Sequence, residues 1–311
     1  MDKNKAFVIG KNIFKIIVTL AAIYWVSQKI QFNDIKNAIV HSNWLYLFLA
    51  LLSYILSQMI ASSRLNSFFK TIKLKLSEQY NLKLYALGLI YNFFLPGGIG
   101  GDAYKVYFLK RKHQVSTKQL LSAVFFDRLS GLWALAIVSC ALIIFMPRFA
   151  IPNYLTMAGA IIGTASYVSI LYLFFRPFAK RFLQTHFKAL VVQGLQILSA
   201  IFILYALGHE DKFSPYLLTF LLSSVAAIIP SVGGAIGVRD AFAAMMATYL
   251  KIDEHLMVAV TLIFYTLTLI TSLPGLYFIF RPSALGEDKL PSAAEVESEF
   301  DNETVEEEKY G

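Results

Sequence analysis

The chain reads as an all-α, polytopic membrane protein with about six full transmembrane helices and two re-entrant helical hairpins. Three observations predict this. Hydrophobic residues make up 57% of the 311 positions and charged residues only 15%, where soluble domains carry about 25% charge. Apolar runs such as Trp44–Ala61 and Leu155–Phe175 recur, each about long enough to cross a ~30 Å hydrocarbon core at about 1.5 Å per residue. Two further apolar stretches are broken by proline and glycine, at Pro96–Gly101 and at Pro230–Gly234.

The full spans are expected at about 12–28, 44–62, 120–146, 154–175, 189–207 and 257–280. The first follows a basic start, Met1–Lys11, and is followed by Ser27-Gln28-Lys29 rather than a small-residue cleavage site. It therefore reads as a retained helix and not as a cleaved signal peptide.

The hairpins are expected at about 84–112 and 215–250. In each, an apolar arm meets a proline and a glycine pair, and a second short helix follows at about 100–112 or 238–250. Proline lacks the N–H and glycine is permissive, so both breaks should unwind the helix. Arms of ~12–15 residues rise ~18–22 Å, enough to enter a membrane but marginal for crossing it.

Charge placement argues for the same topology. Lysine and arginine gather in the N-terminus, in 63–83, in 105–118 and in 176–188, and are sparse in the remaining loops. The positive-inside rule assigns the rich segments to the cytoplasm. The segment 84–112 must then enter and return on one side, and 215–250 must do so on the other, as in an inverted repeat. Both termini fall in the cytoplasm of a multi-pass inner-membrane protein. The stretch Arg64–Gln79 mixes apolar and basic residues and reads either as an interfacial segment or as a plain loop.

Residues 1–282 thus form one transmembrane domain. Ten of the twenty acidic residues lie between Glu287 and Glu308, so 283–311 reads as a disordered acidic cytoplasmic tail. The net charge of +8 is the balance of this acidic tail and a strongly basic membrane part, for which anionic lipid headgroups are the natural partner. Nucleic acid is not, because no soluble basic domain exists to hold it. One cysteine, Cys140, excludes an intrachain disulfide and a cysteine metal pair. His113, His186 and His209 are isolated and assigned to loops. No HExxH, GxSxG or GxxxxGK[ST] motif occurs, so no enzyme activity, metal or cofactor is expected.

Irregular backbone at membrane depth survives only where protein covers it or where it lines a wet cavity. Free N–H groups at the start of a half-helix attract anions. The second half-helices, starting near Gly100 and Val238, are therefore expected to face a phosphate or carboxylate. The candidate substrate-binding residues are Gly100, Gly101, Asp102 and Lys105 in the first hairpin, Asp127 and Arg128 on the span after it, and Gly233, Gly234, Arg239 and Asp240 in the second hairpin. Charges within spans are costly, so they line cavities or pair up. Two roles stand open for them: the bases meet an anionic headgroup, or the charges lock the hairpins to the bundle as ion pairs. For Lys105 the second is favoured, with snorkelling to the interface as its means. Tyr91, Asn92 and Tyr265 are further candidates to line the path.

The segment Phe94-Leu95-Pro96-Gly97-Gly98-Ile99-Gly100-Gly101-Asp102-Ala103-Tyr104-Lys105 resembles the PxxxGGDxxR motif of the lysylphosphatidylglycerol synthase transmembrane (flippase-like) family, which includes stand-alone UPF0104 proteins. Asp127-Arg128 resembles its acidic-Arg pair, and Ile229-Pro230-Ser231-Val232-Gly233-Gly234-Ala235-Ile236-Gly237-Val238-Arg239-Asp240 resembles its PxxxGGxGxRE motif. The resemblance covers about residues 10–282. It implies a phospholipid flippase or lipid transporter of the inner membrane, without the synthase domain of larger members, in which the headgroup of a phospholipid, an aminoacylated one included, crosses a central polar cavity by alternating access. Lys105 stands where arginine is usual, and Asp127 and Asp240 where glutamate is usual; a lysine cannot make the bidentate grip of an arginine. Transport of a small soluble anion, or a scaffold role beside a lipid-modifying enzyme, are the alternatives. The sequence leaves the oligomeric state open, a homo-oligomer included.

Overall fold

A computed structural model describes residues 40–94, 100–146, 152–226, 237–287 and 290–291. Among them every regular element is helical. Helix α1 spans Trp44–Thr71, α2 Glu78–Phe94, α3 Gly100–His113, α4 Thr117–Ile144, α5 Asn153–Phe174 and α6 Arg176–Ala179. Helix α7 spans Phe182–Ala206, α8 Phe213–Ala226, α9 Val238–Leu250, α10 Glu254–Ser272 and α11 Pro274–Phe280. Five helical stretches are long and apolar enough to cross a membrane: Trp44–Thr71, Thr117–Ile144, Asn153–Phe174, Phe182–Ala206 and Glu254–Phe280. The chain is a multi-pass α-helical membrane protein. The expected span 12–28 lies outside the described residues.

Helices α1 and α7 form an antiparallel central pair tied at three levels. At one end the Asn43 N–H donates to the Ala206 carbonyl at 2.9 Å, and the Asn43 side chain caps α1 by accepting from the Leu45 N–H. Midway, the Ser199 hydroxyl donates to the Ala50 carbonyl at 2.9 Å. At the other end the Lys188 ammonium reaches the Ser63 carbonyl and the Ser63 and Ser67 hydroxyls at 2.9–3.1 Å. Helix α1 buries Ala50, Tyr54, Ala61, Leu65 and Phe68, while Trp44, Leu45, Phe48, Leu52 and Leu56 face outward. An apolar outer surface is the normal state of a helix solvated by lipid.

Helix α1 is longer than its apolar run. It continues to Thr71, so 64–71 is neither an interfacial segment nor a loop. The run of apolar letters ends near residue 62, but helix geometry persists because Leu65, Phe68 and Phe69 are buried against the first hairpin. His186, assigned to a loop, lies buried in the first turns of α7 against Tyr167 and Phe182.

The two arms of the first hairpin, α2 and α3, cross at Gly88 and Gly101. A Cβ on Gly101 would fall onto the Gly88 carbonyl, and one on Gly88 would stand 3.0 Å from the Lys105 Cε. The backbones touch directly, which only glycine allows. Both outer ends of this hairpin lie at the lysine-rich end of the bundle. Lys70 on α1 pairs with Glu78 at the start of α2 at 2.8 Å. Burial pushes the Glu78 carboxyl up, but the Lys70 hydrogen bond helps to outweigh it and holds the group below its ordinary value.

The second hairpin, α8 and α9, has its outer ends at the opposite end of the bundle. There the His209 ring, just beyond α7, packs edge-on against Tyr216 of α8 at 4.6 Å. The Asp253 N–H, just beyond α9, donates to the Tyr216 hydroxyl at 3.2 Å. The hairpins therefore enter from opposite ends. Each has its own core: Leu84, Leu87, Tyr104, Phe108, Leu120 and Phe126 pack around the first, and Leu204, Phe220, Ala243, Ala247, Val260 and Phe264 around the second.

The expected disordered tail does not begin at residue 283. A short 3₁₀ turn, Pro282–Leu285, follows α11, and Leu285 is 2% exposed. Leu290 packs on the first hairpin's core. Residues 292–311 lie outside the described residues.

Candidate functional site

The first break ends where α3 begins, at Gly100. The Gly101 N–H donates to the Asn92 Oδ1 at 3.0 Å, so a side chain of α2 caps α3 and takes one of the amides expected to face a ligand. Gly101 serves the backbone crossing with Gly88. Tyr91 is stacked on Tyr104 at 4.0 Å.

Asp102, in the first turn of α3, is shared by two cations. Lys105 reaches its Oδ1 at 2.5 Å and the Arg128 Nε donates to its Oδ2 at 2.6 Å. Lys105 is 5% exposed and stands over the Tyr85 ring at 4.8 Å. It turns into the hairpin and does not snorkel to the interface. The triad carries one excess positive charge, and Arg128, with 45% of its side chain exposed, is its open member.

Asp127 stands apart from this triad. Both its oxygens are taken by Arg64 of α1, with Nε to Oδ1 at 2.8 Å and Nη2 to Oδ2 at 3.1 Å. Asp127 therefore ties α4 to α1, with each oxygen already engaged by the guanidinium. Arg64 was missed by sequence reasoning because it follows the end of an apolar run and was grouped with the loop lysines. The available signal was Asp127 itself: a carboxylate inside a span requires a countercharge.

The second break ends at Gly237, whose φ of +81° suits glycine. The Gly237 N–H donates to the Asp240 Oδ2 at 3.1 Å. Asp240 thus caps its own helix. Gly233 and Gly234 lie outside the described residues.

Arg239 differs from the other site cations. Its guanidinium lies against the edge-packed Phe220 and Phe264 rings, 4.7 and 4.8 Å from their centroids. Its Nε donates to the Ser223 hydroxyl at 3.2 Å. Its Nη2 is buried with no hydrogen-bond partner among the described residues, and no carboxylate pairs with it there. With Nε spent on Ser223, the Nη2 donor is left to meet an oxygen of a phosphate or carboxylate in a charge-assisted hydrogen bond.

Helix α1 runs between the two sites. Gln58 meets the Tyr85 hydroxyl of the first hairpin at 3.4 Å. Tyr54, one turn away, packs edge-on against Phe264 at 4.9 Å, beside Arg239. Tyr54, Gln58 and Arg64 span about 15 Å along the helix axis. Tyr265 is half-buried. Among the described residues, no three His, Cys, Asp or Glu side chains are grouped to hold a metal.

Comparison with known proteins agrees with these motifs. The lysylphosphatidylglycerol synthase TM region family matches residues 12–190, which include the first hairpin, Arg64 and the Asp127–Arg128 pair. The UPF0104 membrane protein PH1989 of Pyrococcus horikoshii is 23% identical over 316 residues, covering 85% of this chain and 92% of that protein. This chain belongs to the lysylphosphatidylglycerol synthase transmembrane-region family.

Proposed function

We propose that this protein is a phospholipid flippase of the cytoplasmic membrane, with both termini in the cytoplasm and Arg239 as the contact for the headgroup phosphate. It moves lipid and does not modify it. The single observation that carries the reading is the Nη2 of Arg239, buried beside two phenyl rings and without a hydrogen-bond partner among the described residues. A desolvated donor without an acceptor is costly. An anionic oxygen arriving there removes that cost and makes a charge-assisted hydrogen bond.

The opposed hairpins support alternating access, in which one half rocks against the other while acyl chains stay in lipid. The half-exposed Arg128 supports a second headgroup contact at the first hairpin. The carboxylates of Asp102 and Asp127 are each engaged by cationic side chains, which makes them ties between helices and not coupling groups. The reading is therefore of movement down the lipid's own gradient.

The test is reconstitution with headgroup-labelled phosphatidylglycerol, phosphatidylethanolamine or cardiolipin, and a membrane-impermeant quencher. Protein-dependent exchange between leaflets is expected. Arg239→Ala should slow it at least about tenfold, the loss of one hydrogen bond to a charged group, and Arg239→Lys should retain part. Uptake of inorganic phosphate without lipid exchange would favour the soluble-anion reading. No exchange of any lipid would overturn the flippase reading.

A further inference from the structure

Helix α3 carries one stripe, Tyr104, Phe108 and Lys112, at four-residue spacing. The stripe runs about 12 Å from the basic end of the bundle toward the tip that holds Asp102. Tyr104 and Phe108 are 0% and 3% exposed. What borders the stripe is the chain's own continuation after the last span.

Among the described residues, four polar contacts hold that continuation. The Lys83 ammonium of α2 donates to the Ala284 carbonyl at 3.2 Å. Lys112 donates to the Leu285 carbonyl at 2.8 Å and pairs with Glu287 at 3.1 Å. The Tyr104 hydroxyl donates to the Pro291 carbonyl at 3.2 Å. Leu285 is buried in the same core cluster as Tyr104 and Phe108, and Gly286 turns the chain in a left-handed conformation (φ +75°) beside the Lys112 ammonium. Contacts to residues 284–287 sit near Lys112 and the contact to Pro291 sits at Tyr104, so the segment follows the stripe inward.

We infer that residues 282–287 and 290–291 are a plug that closes the basic-end approach to the first hairpin. The segment touches both hairpin arms and is covalently continuous with the last span, which itself meets α2 where a Cβ on Gly275 would strike the Ala86 carbonyl. Its ties are of the exchangeable kind. Lys112 and Glu287 keep 28% and 30% of their side chains exposed, and such pairs are weak and screened by salt. Lys83 and Lys112 belong to the lysine-rich end, where anionic headgroups compete with the Glu287 carboxylate for the same ammonium groups. The plug leaves when those headgroups take its cations. Its effect on translocation rests on the flippase reading; its seating does not.

The test uses the full chain with Cys140→Ser and a single probe, Phe108→Cys, in vesicles of neutral lipid. A water-soluble maleimide should label the probe slowly. Leu285→Asp, which forces a carboxylate into the seat, should speed labelling at least tenfold, as should Lys112→Ala with Glu287→Gln. Anionic lipid in the vesicles should speed labelling of the otherwise unaltered chain. Melting temperature and lipid exchange are measured beside it. Fast labelling before any change at the seat, or slow labelling in all variants of unchanged melting temperature, would overturn the plug. Faster labelling with unchanged lipid exchange, in vesicles where Arg239→Ala abolishes exchange, would overturn its control of transport. Absence of exchange throughout would fall on the flippase reading alone, because labelling still decides the seat.

Discussion

Arg64 and Asp127, 63 residues apart in sequence, form a two-pronged ion pair at 2.8 and 3.1 Å between α1 and α4. Their side chains are 9% and 12% exposed. Gly131, one turn beyond Asp127, lies against the guanidinium: a Cβ there would stand at an ordinary contact distance, 3.4 Å from the Arg64 Nη1. Removing one member of such a pair leaves the other charge buried and unmatched.

Arg64→Leu and Asp127→Asn are therefore each expected to destabilise the protein by about 3–5 kcal/mol. The double variant Arg64→Leu/Asp127→Asn should cost less than the sum of the single changes. Thermal or denaturant unfolding in detergent measures both. Additive losses would mean that the two residues act independently.

Gly101→Ala is expected to disrupt the first hairpin, because the new methyl falls on the Gly88 carbonyl. A loss of at least about 1–3 kcal/mol is the usual cost of overpacking. Gly159→Ala and Gly163→Ala on α5 are the matched controls, since a Cβ at either position meets nothing within 4 Å. Those two should leave the melting temperature unchanged or slightly raised.

Asp240→Asn keeps an acceptor for the Gly237 N–H, whereas Asp240→Ala removes it. The first should retain stability and the second should lose about 1 kcal/mol, the usual value of an N-terminal cap. If Asp240 instead contributes through its charge, both substitutions will behave alike in stability and lipid exchange.

The opposed hairpins predict a labelling pattern. In a Cys140→Ser background, Lys112→Cys at the outer end of α3 should react with an impermeant maleimide from the cytoplasm. Lys251→Cys, beyond the outer end of α9, should react only from outside. Reaction of both from one side would contradict the arrangement.

Much of this architecture was legible in the linear chain. Spans are visible because a helix in lipid must be apolar over a membrane's thickness. Hairpin breaks are visible because proline and glycine act on their own backbone. The helix boundaries were less legible, since α1 continues to Thr71 through polar letters that face the first hairpin. The ordered start of the tail was hidden for a similar reason. Leu285 and Leu290 are too few to signal packing, and only the hairpin's surface gives them a seat.

The sequence by itself determined that the chain crosses a membrane repeatedly, that two of its segments break at proline and glycine, and which charges stand near those breaks. These are consequences of local composition acting on local backbone. Only the tertiary structure decided which charges are already matched. Asp127 is matched by Arg64, Asp102 by Lys105 and Arg128, and Asp240 by its own helix terminus. Arg239 keeps a buried donor without an acceptor among the described residues. Pairing depends on which helices pack together, and that contact is set by shape and burial across distances the linear chain does not encode.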